Sequence, residues 1–169
     1  MPNTTIRFAR PEDAETIIDF VRGLAVFEKE PPERVHLTPE AFRRDGFGAR
    51  PVFESLIAEQ EGQPVGFALF FPNYSTWEGR PGLYLEDLFV TEEARGSGAG
   101  RALIAALARI AHERGWARLD LSVLDWNPAR AFYEGLGMAH QHEWLPYRME
   151  AEAIARLAAD APLIEGGAR

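Results

Sequence analysis

Apolar and polar positions alternate at Ile6, Arg7 and Phe8, which predicts a short first strand. Pro11-Glu12-Asp13 then places a proline and two acids in a helix first turn, and Ile17, Ile18, Val21, Leu24 and Ala25 form its apolar stripe. Pro31-Pro32 ends that helix. Thr38-Pro39 reads as an N-cap with proline at the first helical position, opening a short helix that stops near Asp45-Gly46. Strands are predicted at about Phe53 to Glu59 and Val65 to Phe71, joined by a hairpin turn at Glu61-Gly62-Gln63. Pro72 to Gly82, rich in Pro, Gly and aromatics, is predicted as a loop. Leu83 to Val90 is the central strand, and Arg101 to Arg114 a helix with Leu103, Ile104, Leu107, Ile110 and Ala111 on one face. A strand at Leu119 to Val123, a helix at Pro128 to Leu136 and one or two strands within His140 to Glu150 follow. The Ala-rich residues beyond Glu150 predict a short C-terminal helix and frayed tail.

This order is a helix pair, an antiparallel meander, then a β-α-β-α run. It predicts one α+β domain over residues 1–169, with a central mixed, mostly antiparallel twisted sheet flanked by helices. The core lies within about residues 5–150, and the C-terminal helix and tail occupy 151–169. No internal repeat or dividing linker interrupts it.

Composition removes several function classes. No run approaches the ~18 apolar residues that span a bilayer, and Met1 to Thr5 has no signal-peptide character, so no membrane association and a cytoplasmic location are expected. With no cysteine there is no disulfide, thiolate metal site or cysteine nucleophile. His36, His112, His140 and His142 lack metal-ligand spacing, so no metal is expected. The net charge of −8 argues against nucleic acid as a partner and is compatible with a cationic substrate.

The chemistry concentrates where the central strand, carrying Glu86-Asp87, feeds the turn Arg95-Gly96-Ser97-Gly98-Ala99-Gly100-Arg101. Glycines let backbone N–H groups approach a polyanion, and a helix N-terminus behind them favours negative charge. A P-loop would need Gly-Lys-Ser/Thr where Arg101-Ala102 stands. A dinucleotide fingerprint would need a third glycine at Arg101 or Leu103, although Asp120 imitates its acidic ribose ligand. Phosphate or pyrophosphate binding remains the expectation.

Arg95-x-x-Gly98-x-Gly100, after a strand and before an amphipathic helix, resembles the acyl-CoA pyrophosphate loop of the GNAT superfamily of N-acetyltransferases. Asn127, Ala131-Phe132-Tyr133-Glu134 and Gly137 resemble the run that lines the cofactor's pantetheine and thiol end. Leu24-Ala25-Val26-Phe27-Glu28-Lys29, Asp45-Gly46-Phe47-Gly48, Leu83 to Val90, Asp125-Trp126-Asn127 and Trp144 are similar to segments of the spermidine/spermine (diamine) acetyltransferases. The resemblance covers roughly residues 5 to 150. It implies acetyl-CoA as co-substrate, a primary amine of a small cationic molecule as acceptor, direct attack in a ternary complex, and a homodimer with C-terminal strands near its interface. Thialysine or another amino acid, and a protein lysine, are alternative acceptors. A non-catalytic acyl-CoA sensor is the reading outside the enzyme class.

The resemblance also implies residue roles. Gly96 to Arg101 hold the pyrophosphate, with Arg95 and Ser97 in the same turn. The backbone of Leu88, Phe89 and Val90 pairs with pantetheine, and an N–H near Phe89 faces the thioester oxygen. Asn127 and Phe132 line the thiol end. Tyr133 is the general acid for the leaving thiolate.

An alkylammonium must lose a proton before it attacks, so a general base is needed. Glu86 is favoured for that role through water, with Asp87 binding or orienting the ammonium. Alternation sends these two side chains to opposite faces unless a bulge intervenes. The resemblance also implies that Glu28, Trp77, Glu86, Asp87 and Trp144, which match positions of the diamine acetyltransferases, line a polyamine-like channel of acids and aromatics. Phe27 stands where better-known members carry tyrosine, and the match shifts around Gln141-His142-Glu143.

Overall fold

A computed structural model describes residues 3–166, which form two compact units divided after Asn127. The first holds one five-stranded sheet in the order β1-β2-β3-β4-β5. Strands β1 (Thr4–Phe8), β2 (Glu54–Gln60), β3 (Gln63–Ser75) and β4 (Arg80–Val90) pair antiparallel, and β5 (Leu119–Leu121) pairs parallel to β4. Helices α1 (Ala14–Phe27) and α2 (Pro39–Phe47) precede the meander, and α3 (Ala99–Glu113) joins β4 to β5. This is the mixed, mostly antiparallel α+β architecture expected.

Under α1 and α2 the core gathers Ile17, Phe20, Phe42, Ile57, Phe67 and Leu69, with Phe71 and Phe89 packed against it. Phe20 and Phe67 stack with ring centroids 5.9 Å apart, and Phe89 closes on Phe20 at the same distance. Gly23 lies inside α1 at a close approach: a Cβ there would meet the Phe89 ring at 2.7 Å. The opposite face takes the buried stripe of α3, Leu103, Ile104 and Leu107. The expected hairpin turn is present, with Gln60 opposite Gln63 and both Glu61 and Gly62 left-handed.

Two expectations are corrected. Pro72 to Gly82 is no loop: β3 and β4 run on to Ser75 and Arg80, leaving only residues 76–79 as a turn. Pro72 is tolerated because β2 stops opposite Phe70, so the side of β3 that Pro72 faces needs no donor there. The strands expected within His140 to Glu150 do not form among the described residues. Trp144, Leu145, Tyr147 and Met149 are exposed along that run. Apolar alternation marks a strand only where an edge is available to pair it.

The second unit carries α4 (Ala129–Gly135) and α5 (Ala151–Ala158). The left-handed Gly137 ends α4, with Met138 N–H donating to Tyr133 O at 3.1 Å.

Candidate active site

The register of β3 against β4 slips by one residue at the carboxylates. Leu69 opposes Asp87, yet the next residue, Phe70, opposes Leu85, so Glu86 is an extra residue bulged out of β4. Tyr84, Asp87 and Phe89 therefore share the face under α1, where Tyr84 stacks on Phe71 at 5.3 Å and Phe89 joins the α1 core. Leu83, Leu85, Leu88 and Val90 fall on the α3 face. In a regular strand Asp87 would share a face with Leu85. The bulge turns it towards α1 instead, while Glu86 is exposed.

The C-terminal end of α1 supplies a third carboxylate, Glu28. Burial, and then the neighbouring Glu86 and Glu28 charges, push the Asp87 carboxyl up to about 6. Burial and Glu30 push Glu28 upward as well. Each cause favours the neutral acid, so the cluster lacks a cation. A bound ammonium would relieve both carboxylates.

Beside this cluster the sheet opens. The β4–β5 ladder runs from Leu83↔Leu119 to Leu85↔Leu121 and ends, whereas β4 continues to Val90. Thr91 N–H donates to Val65 O on β3 at 2.9 Å, so alternation turns the N–H groups of Leu88 and Val90 to the open edge and that of Phe89 to β3. The residues expected to pair with an extended ligand are thus Leu88 and Val90 by their backbone. Phe89 contributes packing.

After β4, a short turn at Glu92–Ala94 leads to Arg95, left-handed Gly96 (φ 78°), Ser97 and left-handed Gly98 (φ 93°), the N-cap of α3. A Cβ at either glycine would meet nothing within 4 Å, so the backbone is open rather than packed. Gly98 has no side chain to cap the helix, which leaves the N–H groups of Ala99, Gly100 and Arg101 as donors. The Arg95 guanidinium does not reach out over this turn. It lies on the Phe27 ring at 4.8 Å, with Nε donating to Val90 O at 3.3 Å. Gln60 was not foreseen: its side-chain amide donates to Ser97 Oγ at 2.7 Å and to Thr4 Oγ1 at 2.9 Å, tying the turn to β1 and β2. No local signal marks a contact between residues so distant in sequence.

Trp77 is not brought to the carboxylates. It sits in the β3–β4 turn, 92% exposed, and Glu86 lies six residues up the strand from Arg80, roughly 20 Å away. Asn127 is buried at the end of the first unit. Phe132 and Tyr133 lie on α4 in the second unit with rings 5.3 Å apart, and Trp144 is exposed in the irregular run after it.

The model of the acetyltransferase (GNAT) family matches residues 19–138, most of the chain and every expected site residue except Trp144. The chain belongs to the GNAT acetyltransferase family. It is similar to the mouse (Mus musculus) thialysine N-epsilon-acetyltransferase, 40% identical over 170 residues that cover 94% of this chain and 99% of that protein. The human (Homo sapiens) spermidine/spermine N(1)-acetyltransferase-like protein 1 is 32% identical over 90% of this chain, matching 23% of that longer protein. Among solved structures, the integron cassette protein from the mobile metagenome of V. cholerae superposes with a TM-score of 0.75 over 92% of this chain and 97% of that one. At 23% identity it shows the fold.

The protein is an acetyl-CoA-dependent N-acetyltransferase. GNAT enzymes use acetyl-CoA as co-substrate, and the residues present suit its parts. Open glycine backbone and uncapped helix N–H groups fit a pyrophosphate. The unpaired edge of β4 fits an extended amide chain. Among the described residues no helix is long and apolar enough to cross a membrane, and no group of three or more His, Asp or Glu could hold a metal ion.

Proposed function

We propose that this acetyltransferase acts on the primary amine of a small cationic molecule, and the observation that carries the reading is the Glu28–Asp87–Glu86 cluster beside the open edge of β4. Three carboxylates without a basic partner in their mutual field form a receptor for an ammonium. Asp87 and Glu28 hold that ammonium on the α1 face. Glu86, exposed on the bulge, accepts the proton through water, since an alkylammonium does not attack until it is deprotonated.

Acetyl-CoA, when bound, supplies a thioester carbonyl to the amine. The N–H groups of Ala99, Gly100 and Arg101, with the Gly96–Gly98 turn, hold its pyrophosphate, and Ser97 donates its hydroxyl proton to it. The outward N–H groups of Leu88 and Val90 hold the amide chain and polarise the carbonyl oxygen. Asn127 and Phe132 line the thiol end, and Tyr133 Oη supplies the proton that the leaving sulfur needs. The nitrogen gains the acetyl group and loses a proton, and the sulfur gains one.

Two acceptor classes fit an acidic receptor: a diamino acid of thialysine type and a polyamine of spermidine type. The names of the mouse and human relatives favour testing both. The exposed run of Trp144, Leu145 and Tyr147 supports a homodimer, checked by light scattering on the eluting protein. The decisive test of the activity is release of free CoA from acetyl-CoA with thialysine, lysine, spermidine, spermine or putrescine offered separately. Turnover on one of these supports the reading; silence across the panel with acetyl-CoA still bound overturns it.

A further inference from the structure

The end of α1 is an unusual place for a lysine. Lys29 N–H donates to Val26 O at 3.0 Å and Glu30 N–H to Ala25 O at 2.9 Å, a helix stop whose left-handed position is ordinarily glycine. Lys29 occupies it with φ 62°. A side chain there costs about 1–2 kcal/mol relative to right-handed backbone. The cost is tolerated for a reason that the helix stop alone does not supply, because glycine would serve the stop better.

The side chain has a defined destination. Its Nζ lies 4.0 Å from the centroid of the Trp126 ring, in the segment that follows β5. An indole fixes the ammonium without neutralising it, and its N–H donors remain available. That segment is held to the α1 face of β4 by the hydrogen bond between Tyr84 Oη and Ser122 Oγ, 2.9 Å. Lys29 therefore bridges from α1 to the segment after β5, which is tied to β4 two residues before Glu86.

Glu28 and Lys29 are consecutive at one helix end: the charge of Glu28 acts on Asp87, and the ammonium of Lys29 is seated on Trp126. Adjacent Cα atoms are ~3.8 Å apart, and side chains diverging from them span the several-ångström length of a diamino acid. A polyamine, cationic at both ends, would bring its second ammonium towards a like charge. A diamino acid presents its second ammonium on the same carbon as a carboxylate, so that end is neutral overall and offers Lys29 a complementary charge.

We infer that Lys29, seated on Trp126, binds the α-carboxylate of the acceptor and thereby selects a zwitterionic diamino acid over a polyamine. The inference rests on reading Glu28, Glu86 and Asp87 as the amine end of the site.

The test compares thialysine with its counterpart lacking the carboxylate, bis(2-aminoethyl) sulfide, at saturating acetyl-CoA. The wild-type protein is expected to prefer thialysine in kcat/KM. Lys29→Gly removes the charge and the backbone strain together, so its Tm should equal or exceed that of the wild type. It should lower kcat/KM for thialysine roughly tenfold, the scale of one charge-assisted hydrogen bond, mostly through KM, and raise kcat/KM for the diamine. Lys29→Arg should restore the preference. A folded Lys29→Gly protein with an unaltered preference, or a wild-type preference for the diamine, overturns the role of Lys29. Failure of Asp87→Asn to weaken either amine overturns the underlying reading of the amine end instead.

Discussion

Gln60 and Ser97, thirty-seven residues apart in sequence, are joined by a 2.7 Å hydrogen bond from the side-chain amide to the hydroxyl oxygen. The same amide nitrogen also donates to Thr4 Oγ1, so the glycine turn is anchored to the far side of the sheet from β5. Because Ser97 Oγ accepts this bond, its own proton is directed elsewhere and is free for a phosphoryl oxygen.

Replacing Gln60 with Ala should therefore weaken acetyl-CoA binding without touching the amine. One neutral hydrogen bond is worth about 1 kcal/mol, so KM for acetyl-CoA should rise roughly fivefold. Steady-state kinetics with each substrate varied in turn separates the two. A rise in the amine KM with acetyl-CoA unaffected would contradict the anchoring role.

Gly98→Ala tests the turn itself. The position has φ 93° with open space around it, so the penalty is conformational rather than steric. A stability loss of about 1–2 kcal/mol is expected, together with weaker CoA binding in calorimetry. Undiminished CoA affinity would remove this turn from the pyrophosphate site.

Asp87 gives a prediction with a sign. Its carboxyl ordinarily titrates at 3.8 and is held up to about 6 in the fold by burial and by the Glu86 and Glu28 charges. Between those values the folded protein keeps a proton that the unfolded chain has released. Its contribution to stability is thus present at low pH, is lost as pH rises through that window, and stays lost above it. The penalty at neutral pH is about 3 kcal/mol on the scale of 1.36 kcal/mol per unit. Asp13, which the Arg7 guanidinium holds below its ordinary value, acts in the opposite direction, so the informative quantity is the difference from Asp87→Asn. Urea melts from pH 4 to 7 should show the variant gaining on the wild type as pH rises, and a pH-independent difference would refute the assignment. In activity, the wild-type kcat/KM for the amine should fall below about pH 6, and the variant should lose both that limb and most of its amine affinity.

Tyr133→Phe removes the proton proposed for the leaving sulfur. The expected loss is about 10²-fold in kcat with both KM values little altered. Single-turnover acetyl transfer as fast as in the wild type would exclude Tyr133 as the acid.

Legibility in the sequence followed the range of the interactions. Helix stripes, the Glu61-Gly62 hairpin and the glycine turn are local patterns, and each appears in the structure close to where its period or turn chemistry placed it. Pro72 obscured the long β3–β4 hairpin, because a proline speaks against a strand unless one knows that β2 has already ended beside it. Glu86 and Asp87 were legible as a reactive pair, but their shared field was not. Alternation alone separates them, and the extra residue that brings them together is defined only by the partner strand. Gln60, Lys29 and Trp126 act through contacts that no window of sequence contains. The resemblance groups Trp77 with the acids, whereas it stands at the other end of the hairpin.

The extra residue at Glu86 makes β4 a strand with two reading frames. Upstream of it, odd-numbered side chains face α3; downstream, odd-numbered ones face α1. Substitutions along β4 act on one position each, whereas deleting Glu86 would leave Leu85 and Asp87 adjacent and on the faces they already occupy. The bulge is a way of displaying one more carboxylate without turning either half of the strand. Shortening β4 here would spare the core and cost the enzyme its exposed acid.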